Sequence, residues 1–401
     1  KYFEQTYTIN GEYELDYDIQ FKNLGDVIVG GTENINLKWV NYLDKIERST
    51  DYEKTMSTVY FKEVEDNMSY CGCQGDDTQE AEKPIKWVAH SNQFFNAALI
   101  ADKGFSTMSS STIMPLEEET FLKKLTSDLA IPYSDNSTFG MSFYTGPKEY
   151  NRLSAVGGDE NTLELEGTIA YGRSILGTIN RYVIRPLFGL FSGFIGNKGL
   201  VILIITILIK LLLFPLTYKM LYSQAKMAAL KPQIEALKKK IGDDSQAQQV
   251  ETMKLYRETG VNPLGGCLPM VIQMPIWIAL YRFFPASIEF RQESFLWATD
   301  LASFDVITWL PFNIPFYGAH ISLFTILWAI STVAYSYYNS KHMDMSANPA
   351  MKYVQYLMPI MFLFFFNSFA ASLTCYMFFS SLFNIAQTLI TKNVIINNDK
   401  V

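Results

Sequence analysis

One lysine lies inside an apolar stretch that is long enough to cross a membrane. Residues 199–216 read GLVILIITILIKLLLFPL, where Lys210 is the only charge and Thr206 the only other polar side chain. A run of this length and composition predicts a membrane-spanning helix. A lysine near the middle of such a helix costs about 2.5 to 3.5 kcal/mol on insertion scales, so the folded protein must compensate for it. Lys210 is therefore the leading candidate for a functional residue.

The chemistry open to Lys210 is electrostatic attraction of an anion. The other apolar stretches contain neither Asp nor Glu, so they supply no carboxylate to pair with it. We expect Lys210 to face a hydrated cavity within the membrane. The cavity should open toward the end marked by Lys219, which is closer in sequence than Lys198. The alternative is a lysine whose stem snorkels to the lipid headgroups.

Polar side chains on the other apolar stretches indicate what lines this cavity. Thr206 shares a helix face with Lys210, and polar residues of the last stretch recur within about 120° of arc. The pattern predicts a half-polar groove formed by Lys210, Thr206, Gln273, Tyr376, Ser380, Asn384 and Gln387. Hydrogen bonding between helices is the alternative, which we favour for Ser372 and Ser380.

The charge distribution divides the chain into two unlike parts. Residues 1–166 hold 29 acidic and 14 basic side chains, a net charge of −15, while residues 167–401 hold 11 acidic and 19 basic ones, a net charge of +8. The first part has the character of a soluble domain and the second that of a membrane domain.

The first part, residues 1–165, is predicted to be a β-rich domain. Runs such as YTINGEYELDYDIQF and STVYFKEV alternate aromatic or β-branched residues with polar ones, which is typical of antiparallel strands. The chain starts directly in such a run, so we expect a missing upstream segment. Cys71 and Cys73 are expected to be loop cysteines rather than zinc ligands or partners of each other.

The second part is predicted to consist of membrane-associated helices and the segments that connect them. In residues 166–196, Arg173, Arg181 and Arg185 fall on the side of a helix opposite Ile175, Ile179 and Val183, which suits an amphipathic helix on a membrane surface. A connecting helix packed on protein is the alternative. The remaining boundaries are a span over 197–217, a cytoplasmic helical hairpin over 218–262, four further spans over 263–395 and a cytoplasmic tail over 396–401.

Hydropathy and charge give one topology for these five spans. The four later apolar stretches are 264–284, 317–338, 354–369 and 371–390. The connection over 217–262 carries eight Lys or Arg residues, and the links near 341–352 and after 392 are also basic. By the positive-inside rule these three segments face the cytoplasm, and the acidic link over 283–316 faces the other side with the acidic domain.

The long basic connection contains two helix-like stretches separated by Gly242. Asp243 or Asp244 is placed to cap the second stretch, and Lys238, Lys239 and Lys240 form a basic cluster at the end of the first. The cluster suits docking to a ribosome, a translocon or a nascent chain. A solvated loop that only obeys the positive-inside rule explains the pattern equally well.

Several motifs resemble one known family. The stretch 196–273 contains GNKG, ILIKLLLFPLT, AKMAALKPQIEALKKKIGDD and the highly specific NPLGGCLPMVIQMPI. It closely resembles the bacterial YidC proteins of the YidC/Oxa/Alb insertase family, in a Gram-negative, Bacteroidetes-like form. The resemblance covers residues 140–395, and KWVAHSNQFFNAAL over 86–99 is similar to part of the family's periplasmic domain.

The resemblance implies a fold and a function. The implied fold is multi-domain: a polytopic α-helical core of five transmembrane helices with a cytoplasmic helical hairpin, preceded by an all-β periplasmic domain, a β-super-sandwich of which only the later portion is present. The family's first membrane helix would lie upstream. The implied function is an insertase and chaperone of the bacterial inner membrane, acting alone or with the Sec translocon. The implied partners are nascent membrane proteins, the Sec translocon, the ribosome and the lipid bilayer, without a nucleic-acid partner, cofactor, metal or catalytic residue.

The resemblance also assigns roles to residues of the groove. Lys210 occupies the place of the single basic groove residue, which is Arg in most relatives. Lysine keeps the charge but lacks the planar fork of guanidinium, so simple charge attraction is expected instead of a bidentate clamp. Thr206 and Tyr376 match or adjoin other groove positions of the family, while Met377 stands where some members have Tyr.

Two other classes of function fit the sequence less well. A secondary transporter that titrates Lys210 is the main alternative, but the apolar stretches lack acids and the chain lacks repeated halves. An enzyme would need a dyad or a metal site, and the sequence contains no HExxH and no paired intramembrane Asp. His320, the one histidine in a predicted span, is expected to be a satisfied interfacial residue.

Overall fold

The computed structural model describes residues 1–72, 75–115, 119–158, 162–172, 174–242, 244–260, 268–340 and 349–397. The chain forms two compact units. The first comprises Lys1–Ala170 with Ala286–Glu289, and the second comprises Tyr171–Pro285 with Phe290–Val401.

The first unit is built from antiparallel β-strands in two sheets. The strand order is β1-β2-β11-β8-β7-β4-β5 in the larger sheet and β3-β10-β9-β6 in the smaller one. The bounds are β1 (Tyr2–Ile9), β2 (Glu14–Lys22), β3 (Asn34–Leu43), β4 (Thr58–Glu63), β5 (Met68–Tyr70), β6 (Asp77–Ala81), β7 (Ile85–Ser91), β8 (Phe95–Phe105), β9 (Met108–Ile113), β10 (Lys123–Pro132) and β11 (Thr138–Pro147), with short helices α1 (Thr50–Met56) and α2 (Tyr150–Ala155). The prediction of a β-rich domain is confirmed.

The core of this unit takes alternate residues from both sheets. Ile19 and Phe21 of β2 are buried together with Leu125, Leu129 and Ile131 of β10. The two-residue repeat follows from strand geometry, in which successive side chains point to opposite faces. This alternation is the pattern that predicted the strands.

Polar side chains are also buried in this unit. His90 Nε2 lies 2.9 Å from Ser127 Oγ, which lies 2.7 Å from Ser110 Oγ, so the network joins the two sheets. Burial lowers the pKa of His90 to about 3, which keeps the ring neutral at physiological pH. Cys71 lies in a loop as expected, and it is buried and disulfide-bonded.

The second unit is mainly helical. Its elements are α3 (Ser174–Ile179), a π-helical turn (Asn180–Ile184), α4 (Arg185–Ser192), α5 (Lys198–Leu212), α6 (Phe214–Ala229), α7 (Lys231–Ile241), α8 (Ser245–Glu258), α9 (Leu268–Ala286), β12 (Thr308–Ile314), β13 (Gly318–Ile321), α10 (Leu323–Ser340), α11 (Pro349–Phe366) and α12 (Ala371–Asn397).

The predicted surface helix is divided into α3, the π-helical turn and α4. Its outward side is apolar, with Ile175, Tyr182 and Leu190 all more than half exposed. Asn180 is fully buried, and its Nδ2 donates to the carbonyls of Tyr171 and Ala279, both at 2.8 Å. An exposed apolar side suits a membrane surface, and the buried amide ties the segment to α9.

The first predicted span is broken rather than continuous. Helix α5 ends at Leu212 and α6 begins at Phe214, with a bend of 59° between them. Pro215 lies in the first turn of α6, where proline is tolerated because its missing N–H would have no helical partner. The prediction of one continuous helix over 197–217 is therefore wrong, while the boundary of the span at 217 stays a prediction.

Fewer than five of the described helices are, by length and composition alone, long and apolar enough to cross a membrane. In the part of the chain that the structure describes, one helix passes this test, Ala371–Asn393, and the bent pair α5 and α6 would be a second if counted as one span. Leu323–Tyr338 and Tyr356–Phe366 are apolar but shorter. The count of five stays a prediction.

The third predicted span begins later than expected. Residues 317–322 belong largely to strand β13, which pairs with β12 through Thr308↔Ile321 and Trp309↔His320, and helix α10 begins only at Leu323. A short apolar run satisfies a strand and a helix equally well, so periodicity could not separate the two. His320 lies in this strand and is buried, where its Nε2–H donates to the carbonyl of Asn367 at 2.9 Å.

Candidate functional site

The side chain of Lys210 is buried between two helices. It is 3% exposed, and its Nζ donates a hydrogen bond of 2.9 Å to Asn384 Oδ1. Lys210 comes from the last turn of α5 and Asn384 from the polar side of α12, and the two helices pack against each other. The sequence placed both residues in one groove, and the structure brings them into direct contact.

The position of α5 follows from two local features. Asn197 caps the helix, since its side chain accepts a hydrogen bond from the backbone N–H of Leu200 at 3.0 Å. Gly199 allows close packing, because a Cβ at this position would overlap the ring of Phe295. These features fix where α5 begins and hence the height of Lys210 along it.

A cavity of about 370 Å³ is lined in part by Asn384, the hydrogen-bond partner of Lys210. Its polar side is formed by Gln273 of α9 together with Tyr376, Ser380 and Asn384 of α12. The rest of its wall is largely aromatic and includes Trp277, Trp328, Phe362 and Phe366. Asn384 therefore belongs both to the cavity and to the hydrogen bond with Lys210.

Tyr376 presents an unsatisfied hydroxyl at this cavity. The residue is 1% exposed, and its hydroxyl lies beside Ser380 and Gln273. It makes no hydrogen bond of normal geometry within the described residues. A buried hydroxyl with only weak contacts to Ser380 and Gln273 among the described residues is available to bond water or a polar ligand in the cavity.

Three predicted groove residues, Lys210, Thr206 and Gln387, are not among the residues that line the cavity. The Thr206 hydroxyl donates to the carbonyl of Ile202 in its own helix at 2.7 Å. Gln387 is 6% exposed, and its Nε2 has no hydrogen-bond partner among the described residues. Ser372 is also buried without a partner for its Oγ within the described parts of the chain, so the helix-to-helix bond expected for it is not formed there.

Within the described parts of the chain, no carboxylate neutralises the charge of Lys210. None of the described acidic side chains forms an ion pair with it. The neutral amide of Asn384 satisfies one N–H of the ammonium but leaves the positive charge in place. The site therefore combines a buried cation with a cavity that offers amide and hydroxyl groups.

The basic cluster lies in the last turn of α7. Lys238, Lys239 and Lys240 occupy consecutive positions there, and the last two are exposed. Helices α7 and α8 contact each other, and Gly242 links them with φ +78°. Asp244 caps α8 as predicted, because its Oδ1 accepts from the N–H groups of Gln246 and Ala247, both at 3.0 Å.

One structural residue was missed by the sequence reasoning. Asn367, in the turn between α11 and α12, is fully buried and donates through Nδ2 to the carbonyls of Tyr317 and His320 at 2.8 and 2.9 Å. The signal was present, since Asn367 is the only amide near the end of the apolar run LMPIMFLFFFNSF. A lone amide in such a run has to find a polar partner.

Comparisons with known proteins agree along the whole chain. The family described as 60Kd inner membrane protein matches residues 190–399, and the YidC periplasmic domain matches residues 1–188. Two relatives are 37% identical, the membrane protein insertases YidC of Parabacteroides distasonis and Amoebophilus asiaticus. The alignments cover 99% and 100% of this chain and 64% and 67% of those proteins, so the chain spans about two thirds of their length.

A solved structure of an active YidC insertase with its first transmembrane domain resolved is also similar. It is 21% identical, with 96% of this chain and 73% of that chain covered and a TM-score of 0.43.

Proposed function

This chain belongs to the YidC family of membrane proteins, and from that premise we propose that it inserts and folds proteins in the bacterial inner membrane. The observation that carries the proposal is the buried Lys210, held by a neutral amide beside a cavity with polar groups. A buried ionisable group without a counter-charge suggests that a ligand supplies the charge during function.

We propose that the counter-charge comes from the client protein. A carboxylate in the short polar tail of a client would compete with Asn384 for the Lys210 ammonium, and a charge-assisted hydrogen bond is stronger than one to an amide. The neutral Asn384 then serves as a resting partner that satisfies Lys210 between clients. The Tyr376 hydroxyl and the Gln273 amide would bond the polar backbone of the tail as it loses water.

The apolar part of the client would leave sideways into lipid. The outer surfaces of the two helices that carry the site are apolar, with Leu211 and Leu212 of α5 and Leu389 and Ile390 of α12 exposed. Each Å² of apolar client surface removed from water contributes about 25 cal/mol. This term drives the transfer, so no nucleotide or metal is needed.

The proposed arrangement in the membrane follows the predicted topology. Five spans would place the β-rich unit in the periplasm and the basic helices α7 and α8 in the cytoplasm. There, the exposed Lys239 and Lys240 would meet an acidic surface on a ribosome or on the Sec translocon. The Lys238–Lys240 cluster is thus our candidate for docking.

The test is insertion of single-span clients into vesicles that contain the purified protein. One client carries acidic residues in its translocated tail and a matched client carries neutral residues. We expect Lys210→Glu to impair the acidic client far more than the neutral one, because repulsion replaces attraction, while Lys210→Arg should support both. Equal loss for both clients would rule out the electrostatic role, and insertion equal to that of empty vesicles would rule out the function.

A further inference from the structure

The hairpin formed by β12 and β13 exposes several large apolar side chains. Trp309 is 60% exposed, Phe312 61% and Phe316 95%, and all lie within one short segment. A soluble surface rarely places so many large apolar groups together unless they bind something. The groove and the docking cluster do not use this hairpin.

The backbone of the hairpin is strained at its most exposed aromatic residue. Phe316 has φ +66°, in the left-handed region that favours Gly and Asn and is unfavourable for a bulky side chain. The next turn residue, Gly318, has φ +101°, where glycine is expected. A phenylalanine kept at a strained and fully exposed position points to a functional use of its side chain.

Strand β13 and the residues on either side of it are hydrogen-bonded to the turn between α11 and α12. The Asn367 amide holds the carbonyls of Tyr317 and His320, and its Oδ1 accepts from the N–H of Ser322 at 3.0 Å. On the other side, the buried Asp305 accepts hydrogen bonds from the N–H groups of Leu323 and Phe324 at the start of α10. The hairpin therefore lies at the same end of the helices as this turn.

The apolar surface of the hairpin continues onto the outer side of α11. The rings of Tyr317 and Phe364 are 5.4 Å apart, and Ile360 and Phe365 on the same helix are more than half exposed. If α11 spans the membrane, this surface faces lipid. The hairpin then extends the lipid-facing surface to the level where the helices end.

The charge of the segment indicates which occupant it fits. The sequence contains no Asp, Glu, Lys or Arg between Asp305 and Lys341, and Asp305 itself is buried. An uncharged surface offers no charge complementarity to a protein partner, whereas exposed Trp and Phe side chains favour the boundary between headgroups and acyl chains.

We propose that the β12–β13 hairpin is a lipid anchor, in which Trp309, Phe312 and Phe316 enter the headgroup and acyl boundary of the periplasmic leaflet. The inference rests on the proposed topology, which places the α11–α12 turn on the periplasmic side. The anchor would hold that end of α10, α11 and α12 at a fixed depth. This would keep the cavity at Tyr376 at a constant distance from the membrane surface.

The test places a photoreactive phenylalanine at position 312 or 316 of the full chain, reconstituted in vesicles of phosphatidylethanolamine and phosphatidylglycerol. We expect lipid adducts, detected by mass spectrometry, at both positions. The control is position 29 in the β-rich unit, where Val29 is 81% exposed and where we expect no adducts. Adducts with protein, including a second copy of this chain, or reaction with water alone, would overturn the proposal.

A second variant separates anchoring from folding. Phe316→Asn should leave the melting temperature in detergent unchanged or raised, because Asn tolerates the left-handed backbone. In vesicles it should reduce lipid adducts from position 312 severalfold, and unchanged adducts would contradict the anchor. The insertion assay with Lys210 variants is a separate measurement. Lipid adducts without insertion would overturn the proposed function alone. Insertion without lipid adducts would overturn the anchor alone.

Discussion

The pairing of Lys210 with Asn384 satisfies a hydrogen bond without neutralising a charge. The amide oxygen of Asn384 accepts one N–H of the ammonium. The two remaining N–H groups are almost fully shielded from solvent, since Lys210 is 3% exposed. Removing the acceptor alone leaves a buried donor unsatisfied, whereas removing both groups together can be nearly neutral. The pair is thus suited to a double-mutant test.

We expect Asn384→Leu to destabilise the protein by about 1 to 3 kcal/mol, the cost of an unsatisfied buried donor. The double variant Lys210→Met with Asn384→Leu should recover most of that stability but not the insertion of acid-tailed clients. Thermal unfolding in detergent measures the first effect. Thr388→Val, which alters another buried polar residue of α12, is the matched control; if it costs as much as Asn384→Leu, the bond to Lys210 is not the cause.

A second buried lysine makes the β-rich unit sensitive to pH. Lys148 is 2% exposed, and its Nζ donates to Ser91 Oγ at 2.8 Å and to the carbonyl of Asn92 at 2.9 Å. Burial lowers its pKa from 10.5 to about 7. A neutral amine can still donate both bonds, so the folded unit favours the uncharged form.

The stability of this unit should therefore rise with pH between about 7 and 10.5. In that window the unfolded chain keeps the proton on Lys148 and the folded chain does not, so each pH unit adds up to about 1.4 kcal/mol to the free energy of unfolding. Below about pH 7 Lys148 is protonated in both the folded and the unfolded state. The free energy of unfolding then no longer changes with pH and carries the full penalty for burying the charge.

Pulse proteolysis in urea, followed through a fragment of the β-rich unit, measures this slope. Lys148→Met should abolish the slope between about pH 7 and 8 and about halve it between about pH 8 and 10.5, where Lys123 still contributes. Lys123→Met is the comparison, because burial lowers the pKa of Lys123 as well, to about 8, with the same sign, and it should remove only part of the slope. A slope unchanged in Lys148→Met would contradict the assignment.

Among the elements, those with a local signal were predictable. The polar side of α12 follows from the helical period alone, and Asn384 and Tyr376 on that side both line the cavity. The cap of α8 at Asp244 likewise needs only neighbouring residues. Such features depend on contacts within a few residues, which the sequence contains directly.

Elements decided by distant contacts were not predictable. The run over 317–322 forms strand β13 because Asn367, far along the chain, holds the carbonyls of Tyr317 and His320. The break between α5 and α6 also escaped prediction, because Pro215 is compatible with the first turn of a new helix as well as with a kinked one. Tertiary contacts select between such alternatives.

The Asp244 cap gives a prediction at the scale of one element. Asp244→Ala should destabilise α8 by about 1 kcal/mol, since the N–H groups of Gln246 and Ala247 lose their acceptor. Hydrogen exchange of the first turn of α8 should become faster, while exchange in α12 should not change. Asp244→Asn is the control, because Asn caps about as well as Asp; faster exchange in that variant as well would show that charge, not capping, matters.

At the scale of the whole molecule, an odd or an even number of membrane crossings decides whether the two ends of the chain lie on opposite sides of the membrane or on the same side. Five crossings place residues 1–165 and the C-terminal tail on opposite sides, whereas two crossings, the maximum found by length and composition in the described helices, place them on the same side. The basic segments favour the first arrangement, because Lys and Arg are retained in the cytoplasm. Whether the number of crossings is odd or even can be measured without locating each span.

We expect a cysteine at position 29 to react with a membrane-impermeant reagent added to intact cells with a permeabilised outer membrane. A cysteine at position 250 in α8, where Val250 is 62% exposed, should react only after the inner membrane is opened, as should one in the tail over 396–401. A cysteine at position 312 should be labelled from the same side of the membrane as one at position 29. If the hairpin is an anchor, the surrounding lipid should slow that reaction. Labelling of positions 29 and 396–401 from the same side would contradict five crossings, and with them the cytoplasmic opening of the groove at Lys210.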